Sequence, residues 1–269
     1  MGIHPTAYVH TDADVHPSAE IGPHVVIDGP VRIGAGCRIG PSAVILGHTE
    51  IGSGTSIHSH AVLGDIPQDR KYDGEVTYCR IGSGCIIREG ATIHRACLPG
   101  EATIVGNRCY LMTNSHVAHD CVLEDEVILV SGALLGGHVQ VGRQAIISGN
   151  TGIHQFVRIG EMAMIGAVAM IGQDIPPFAM TNRRGEIAGL NSIGLMRAGT
   201  PSADRQELKV LFRMIYRSGM SLRRAVELAN DLATTDTGRR FVDFFDAGSL
   251  RGIRKSNHSG TSDQRKAVA

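Results

Sequence analysis

This chain has no tryptophan, and its 269 residues include only six Phe and five Tyr. Nor does it carry an excess of either charge, with 26 Lys+Arg against 26 Asp+Glu. A protein that follows the phosphates of a nucleic acid carries a strong basic surplus, so nucleic acid is excluded as a partner and any anion site must be local. Long apolar runs are missing as well. The longest nearly uncharged stretch, Met162 to Ile171, falls well short of the roughly 20 residues of a membrane helix, which predicts no membrane span. No basic segment leading into an apolar one opens the chain, and the expected location is cytoplasmic. None of the six cysteines forms a CxxC pair, a spacing unlike that of zinc ribbons or secreted disulfide frameworks. At this length a hydrophobic core suffices for folding, without disulfide or metal.

Glycine, by contrast, is abundant at 34 residues, as fits a chain that turns very often. The reason lies in a period of six. An aliphatic residue recurs at Ile3, Val9, Val15, Ile21, Ile27, Ile33, Ile39, Ile45, Ile51, Ile57 and Leu63, then at Ile81, Ile87 and Ile93, and without a break from Val105 to Ile171. Only Asp69, Glu75 and Pro99 break the phase. Four places after each aliphatic stands a small or β-branched residue, such as Ala7, Ala19, Val25 or Ala61, and all six cysteines share that phase. Cysteine there reads as a small buried hydrophobe. A helix needs a period of 3.6 and a flat strand a period of 2, so neither accounts for the pattern. A short strand plus a turn does, and stacked coils of such hexads bury a continuous core that no single repeat could bury alone. The predicted fold is an all-β parallel β-helix over residues 1–181, with loops near 64–80 and 98–104.

After Pro176-Pro177 the pattern changes. Asn182 to Gly199 reads as an irregular crossing segment, and Thr200-Pro201 as an N-cap followed by the first helical residue. Leu208, Leu211, Phe212 and Ile215 follow helical spacing, with Gly219 as a stop. A second helix is predicted through Leu222, Val226 and Leu232, and a short third near Phe241 to Phe245. Residues 182–254 thus form a crossing segment and a small α-helical C-terminal domain, and the apolar-poor stretch 255–269 a disordered tail.

Thirteen histidines are many for this length, and their positions matter more than their number. If three hexads make one coil, residues eighteen apart stack about 4.8 Å from one another. Steps of eighteen from His119 land beside His138 and His154, and His116 lies just before the same edge. Four imidazoles converging on one edge point to a site, either for proton transfer near neutral pH or for a metal. His4, His10, His16, His24 and His58 read as tolerated polar positions.

The segments Asn114-Ser115-His116-Val117-Ala118-His119-Asp120-Cys121, Gly136-Gly137-His138-Val139 and Gly152-Ile153-His154-Gln155-Phe156 resemble the UDP-N-acetylglucosamine O-acyltransferases of lipid A biosynthesis. So do Gln68-Asp69-Arg70-Lys71-Tyr72, Thr92-Ile93-His94-Arg95 and Gln173-Asp174-Ile175-Pro176-Pro177. The resemblance implies a homotrimer with sites in the clefts between subunits, and a left-handed coil, although parallel crossovers in general are right-handed. It also implies transfer of a 3-hydroxyacyl chain from acyl carrier protein to the sugar 3-position of UDP-N-acetylglucosamine, or of a close 3-amino analogue, with no cofactor and no metal. Residue by residue, it makes His119 the general base, Asp120 its orienting partner and Gly137 the oxyanion donor. Asp69, Lys71, His94, His116, His138, His154 and Gln155 become substrate contacts, and Asn191 and Arg197 part of the nucleotide site. Ala167 falls where the acyl chain ends and where the family often has glycine. Ile193 and Ala198 depart from the family's Asn-x-Glu-Gly-Leu-x-Arg-Arg, removing an acid and a base from the nucleotide side. Two other readings stay open from the residues themselves: a zinc enzyme of the γ-carbonic anhydrase type on the same scaffold, and a non-catalytic scaffold that keeps the histidines.

Overall fold

A computed structural model describes residues 2–255. The hexads build three sheets of nine, eight and ten strands, parallel except for one strand at the end of the largest, and most strands are two residues long. Within each sheet the partners stand eighteen residues apart, as in Ile27↔Ile45 and Leu135↔Ile153. One coil is therefore three hexads, and the sheets are the three faces of a prism. The architecture is a left-handed parallel β-helix with a helical C-terminal region.

Two coils are longer. Thr49 pairs with Cys79 and Cys79 with Thr103, separations that exceed eighteen by twelve and by six. Each surplus is a whole number of hexads, so the aliphatic phase survives both insertions. The extra residues leave the prism as excursions at 66–77 and 95–101, with Ala102–Val105 already back in strand. Asp69, Glu75 and Pro99 break the pattern because they lie on these excursions.

The inward aliphatics are buried throughout the middle coils; Ile27, Ile45, Leu63, Ile93, Leu135 and Ile147 have no measurable exposure. Each contributes about 1.5–3 kcal/mol by leaving water. Most corners put the third residue after the aliphatic into the left-handed region, whether Gly36 and Gly54 or His24, Ser42 and Asn114. Glycine directly after the aliphatic has a different cause: a Cβ on Gly52 would lie 2.6 Å from the backbone of Gly82 in the next coil. There the coils approach too closely for any side chain.

The crossing segment is more regular than its sequence pattern predicts. Ala179–Thr181 extends one sheet, and Ile187–Leu190 turns back antiparallel to it. The Asn182 carboxamide oxygen accepts the N–H groups of Arg184 and Glu186, and Gly185 takes a positive φ, so the turn is built locally. A short helix α1 (Ser192–Arg197) follows, then α2 (Ser202–Arg217), α3 (Leu222–Leu232) and α4 (Asp236–Asp246). Pro201, expected as the first helical residue, is instead the N-cap, because its ψ of 148° is extended. Arg240 of α4 docks on the last coils through Glu161 at 2.6 Å, a carboxylate that also takes Arg143 at 2.7 Å. Arg158, held by the fully buried Asp174 at 2.7 Å, donates to the Phe244 carbonyl of α4 at 3.3 Å. The tail expected as disordered lies, from residue 256 on, outside the described residues.

Candidate active site

Both excursions leave the prism from the same edge, the one between the sheet holding His116–Val117 and the sheet holding Val122–Leu123. His119 and Asp120 turn that edge in one coil, Gly137 and His138 in the next, Gln155 and Phe156 in the third. Asp120, His138 and Phe156 take the left-handed corner position with φ of 59°, 60° and 65°. This conformation aligns them: the N–H of His138 donates to the His119 carbonyl at 3.0 Å, and that of Phe156 to the Gly137 carbonyl at 3.0 Å.

Nδ1 of His119 and a carboxylate oxygen of Asp120 lie 2.6 Å apart, a charge-assisted hydrogen bond in which the imidazole donates. Asp120 is itself fixed. Its N–H donates to Thr103 Oγ1 at 2.8 Å, and its carboxylate accepts the Cys97 N–H at 3.2 Å. Burial alone would raise this carboxyl. The hydrogen bond from His119 and the Cys97 N–H, with the nearby His138, outweigh burial and hold it below the usual carboxylate range. Asp120 therefore stays ionised near neutral pH and keeps the proton of His119 on Nδ1, which leaves Nε2 as the open lone pair.

Gly137 sits under that ring. A Cβ there would lie 2.6 Å from His119 Cε1 and 2.7 Å from Nε2, so only glycine lets the base occupy this place. Among the described residues no acceptor meets the Gly137 N–H. Around the pair, His138 packs edge-on to His119 at 5.2 Å and stacks on Phe156 at 4.5 Å. Arg251, returning from the helices, covers the Phe156 ring and donates to the Gln155 carbonyl at 2.8 Å. Arg251 has no place in the hexads and could not be read from spacing, whereas Phe156, eighteen residues after His138, carried that signal.

Asp69 lies close to His119 and accepts the N–H of Lys71 at 2.9 Å, while Lys71 is exposed. His94, nearly buried, uses Nδ1 to bond the Ile66 carbonyl at 2.6 Å, and Arg95 reaches Gly64 and the Tyr72 hydroxyl, so together they staple the first excursion to the coil. His116 bonds the Thr92 hydroxyl at 2.7 Å. Burial first, then the neighbouring His94 and His119, hold its imidazole down at about 4. His154 and Gln155 are exposed at the end of the edge. Cys97, buried as expected, is not an inward hexad residue but a member of the second excursion.

Asn191 and Arg197 lie elsewhere. Asn191 caps α1 by accepting from Gly194 N and donates to the Met162 carbonyl, both at 2.9 Å, which puts it on the next edge of the prism. Arg197 closes the same helix, exposed, with Ile193 and Met196 also facing out. Ala167 is exposed at the third edge, beside the exposed Val168 and Met170. One chain thus gathers the histidines, Asp69, Asp120 and Gly137, and holds Asn191, Arg197 and Ala167 apart from them.

His119, Asp120 and His138 also bring their donor atoms within 4.8 Å of one another. Ligands of one tetrahedral zinc stand roughly 3.3 Å apart, given bonds of about 2.0–2.1 Å. The 2.6 Å contact between His119 and Asp120 is shorter than that. This trio is a hydrogen-bonded pair with a neighbour, and it does not fit the carbonic anhydrase arrangement.

Residues 174–254 match the family described as UDP-N-acetylglucosamine O-acyltransferase, domain 2, and residues 3–68 match the GMPPB C-terminal domain. An acyl-[acyl-carrier-protein]–UDP-N-acetylglucosamine O-acyltransferase of Gloeothece citriformis is 47% identical over 221 residues, 82% of this chain and 74% of that one. The enzyme of the same name from Verminephrobacter eiseniae is 43% identical over 232 residues, 86% of this chain and 88% of its own. Among solved structures, the UDP-N-acetylglucosamine acyltransferase of Francisella novicida superimposes with a TM-score of 0.91 at 35% identity, covering 95% of each chain. That of Bacteroides fragilis gives 0.90 at 36% identity, over 94% of this chain and all of the other. Likeness of this extent, in sequence and in fold, leaves one assignment: the chain belongs to the acyl-[acyl-carrier-protein]–UDP-N-acetylglucosamine O-acyltransferase family.

Proposed function

We propose that the chain transfers a 3-hydroxyacyl group from acyl carrier protein to the sugar 3-position of UDP-N-acetylglucosamine, or of a close 3-amino analogue, as the first step of lipid A biosynthesis. The observation that carries this reading is the His119–Asp120 bond of 2.6 Å beside the free N–H of Gly137. A sugar hydroxyl is a poor nucleophile at neutral pH, so a base must take its proton as the new bond forms. Nε2 of His119 takes it, and Asp120 stabilises the imidazolium. The hydroxyl oxygen bonds to the thioester carbonyl carbon, and the resulting oxyanion accepts the Gly137 N–H, an interaction of about 2.7–4 kcal/mol where such a donor has been removed. Collapse breaks the carbon–sulfur bond, and the imidazolium returns its proton to the leaving thiolate. The chemistry so written calls for no metal and no cofactor.

Asp69, Lys71, His94, His116, His138, His154 and Gln155 surround this pair as substrate contacts, with His94 and His116 acting through the excursion and strand they hold. Asn191 and Arg197 serve the nucleotide from a neighbouring subunit, since within one chain they stand on another edge. In this reading the assembly is a homotrimer, working in the cytoplasm. In it Ala167 bounds the end of the acyl groove.

The test is His119→Ala in a purified, folded protein, assayed for product by mass spectrometry with carrier-linked 3-hydroxyacyl chains and UDP-N-acetylglucosamine. Turnover is expected to fall by about 10² to 10⁴. Near-normal turnover in a folded variant would remove His119 from the role of base.

A further inference from the structure

Five of the six cysteines fill inward positions of the coils, but Cys97 belongs to the excursion that presses on the His119 edge. Its Sγ, a carboxylate oxygen of Asp69 and a ring nitrogen of His119 all lie within 4.8 Å of one another. Sulfur, nitrogen and oxygen donors around a tetrahedral zinc, at bonds of about 2.3, 2.0 and 2.1 Å, stand roughly 3.3–3.7 Å apart. Closing the trio onto an ion thus asks for about 1 Å of movement, and two of its members ride on excursions rather than on the stacked coils. Unlike the trio with His138, this one contains no internal hydrogen bond to break.

We propose that Asp69, Cys97 and His119 bind one zinc ion, and that this ion blocks acyl transfer by occupying the base. The second shell is already in place. Asp120 holds Nδ1 of His119 at 2.6 Å, and a carboxylate behind a histidine is the arrangement that orients zinc-ligating imidazoles and raises their basicity. Asp69 and Asp120 bring two carboxylates beside the ion's position, and such negative charge favours a dication. On binding, the thiol proton leaves to solvent, the sulfur and Nε2 lone pairs and a carboxylate oxygen coordinate the metal, and water takes the fourth position. Nothing is oxidised or reduced. Turnover itself needs no metal; zinc competes with the sugar hydroxyl for Nε2.

The inhibitory consequence rests on His119 being the base, whereas zinc binding is read without turnover, so the two can fail separately. The full chain is stripped with EDTA, dialysed and titrated with zinc against a chromophoric chelator. Tight uptake of one zinc per chain is expected, weakened by about tenfold or more in Cys97→Ser and in Asp69→Asn. Cobalt in place of zinc should give near-UV thiolate-to-metal absorption in the parent and none in Cys97→Ser. Zinc should also slow the stripped enzyme, and EDTA should restore it. Uptake unchanged in both variants would mark an adventitious ion on the surface histidines and overturn the site. Zinc bound as described with turnover undiminished would overturn the block.

Discussion

At the scale of single residues, the site is held by atoms that leave no alternatives to one another. Gly137 is glycine because His119 occupies the space of its side chain, at 2.6 Å from a built Cβ. Gly137→Ala is therefore expected to displace the imidazole from Asp120 and cut kcat by about tenfold or more, with each lost decade equal to about 1.4 kcal/mol of barrier. The unfolding midpoint should stay near that of the parent, because the backbone at Gly137 is not left-handed. Steady-state kinetics beside thermal melts separates the two. His116 gives a pH signature. Its imidazole titrates near 4 in the fold against 6.5 when free, so between those values the unfolded chain binds a proton that the native chain does not. Stability is then complete above about pH 6.5 and falls as the pH drops toward 4. His116→Gln, which can keep a bond to Thr92, should flatten the dependence of urea unfolding on pH across that window.

Among the elements, the two excursions and the basic helices do the work that the coils cannot. Arg213 and Arg217 are exposed on α2, and Arg223 and Arg224 on α3. The latter two both pair with Glu227 at 3.2 Å, whereas Arg213 meets no acidic partner among the described residues and Arg217 lies over the Phe212 ring. An acidic carrier protein would meet the unneutralised charge of Arg213 and Arg217 first. Reversing both to Glu is expected to raise KM for the carrier thioester several-fold and to flatten its dependence on salt, leaving kcat little changed. The same double variant with a short pantetheine thioester as donor should behave like the parent.

On the scale of the whole molecule, His119 and Arg197 stand on different edges of one chain, and the function proposed above needs a neighbouring subunit to bring them together. If each site takes its base from one subunit and its nucleotide contacts from the next, His119→Ala and Arg197→Ala should complement each other. Unfolding and refolding the two inactive variants together should return roughly a quarter of parent activity, the share of interfaces in a random closed ring that pair two intact halves. Each variant refolded alone should remain inactive. Recovery absent from a mixture shown to form hybrid trimers would confine each site to a single subunit.

The period of six was enough by itself to read the β-helix, the burial of Ile27, Ile45 and Leu135, and the meeting of His119 and His138 on one edge, because stacking repeats translate sequence spacing directly into position. The helices through Phe212, Val226 and Phe241 were legible for a similar reason, one apolar face with its own period. Spacing says nothing of where an inserted segment folds back. That Cys97 N–H holds Asp120, that His94 ties down Ile66, and that Arg251 covers Phe156 are contacts between residues with no common repeat. Nor does a local pattern reveal which edge of a prism a later helix will cap. Only the stacked coils, by putting both excursions on one edge and α1 on another, decided which residues could share a site.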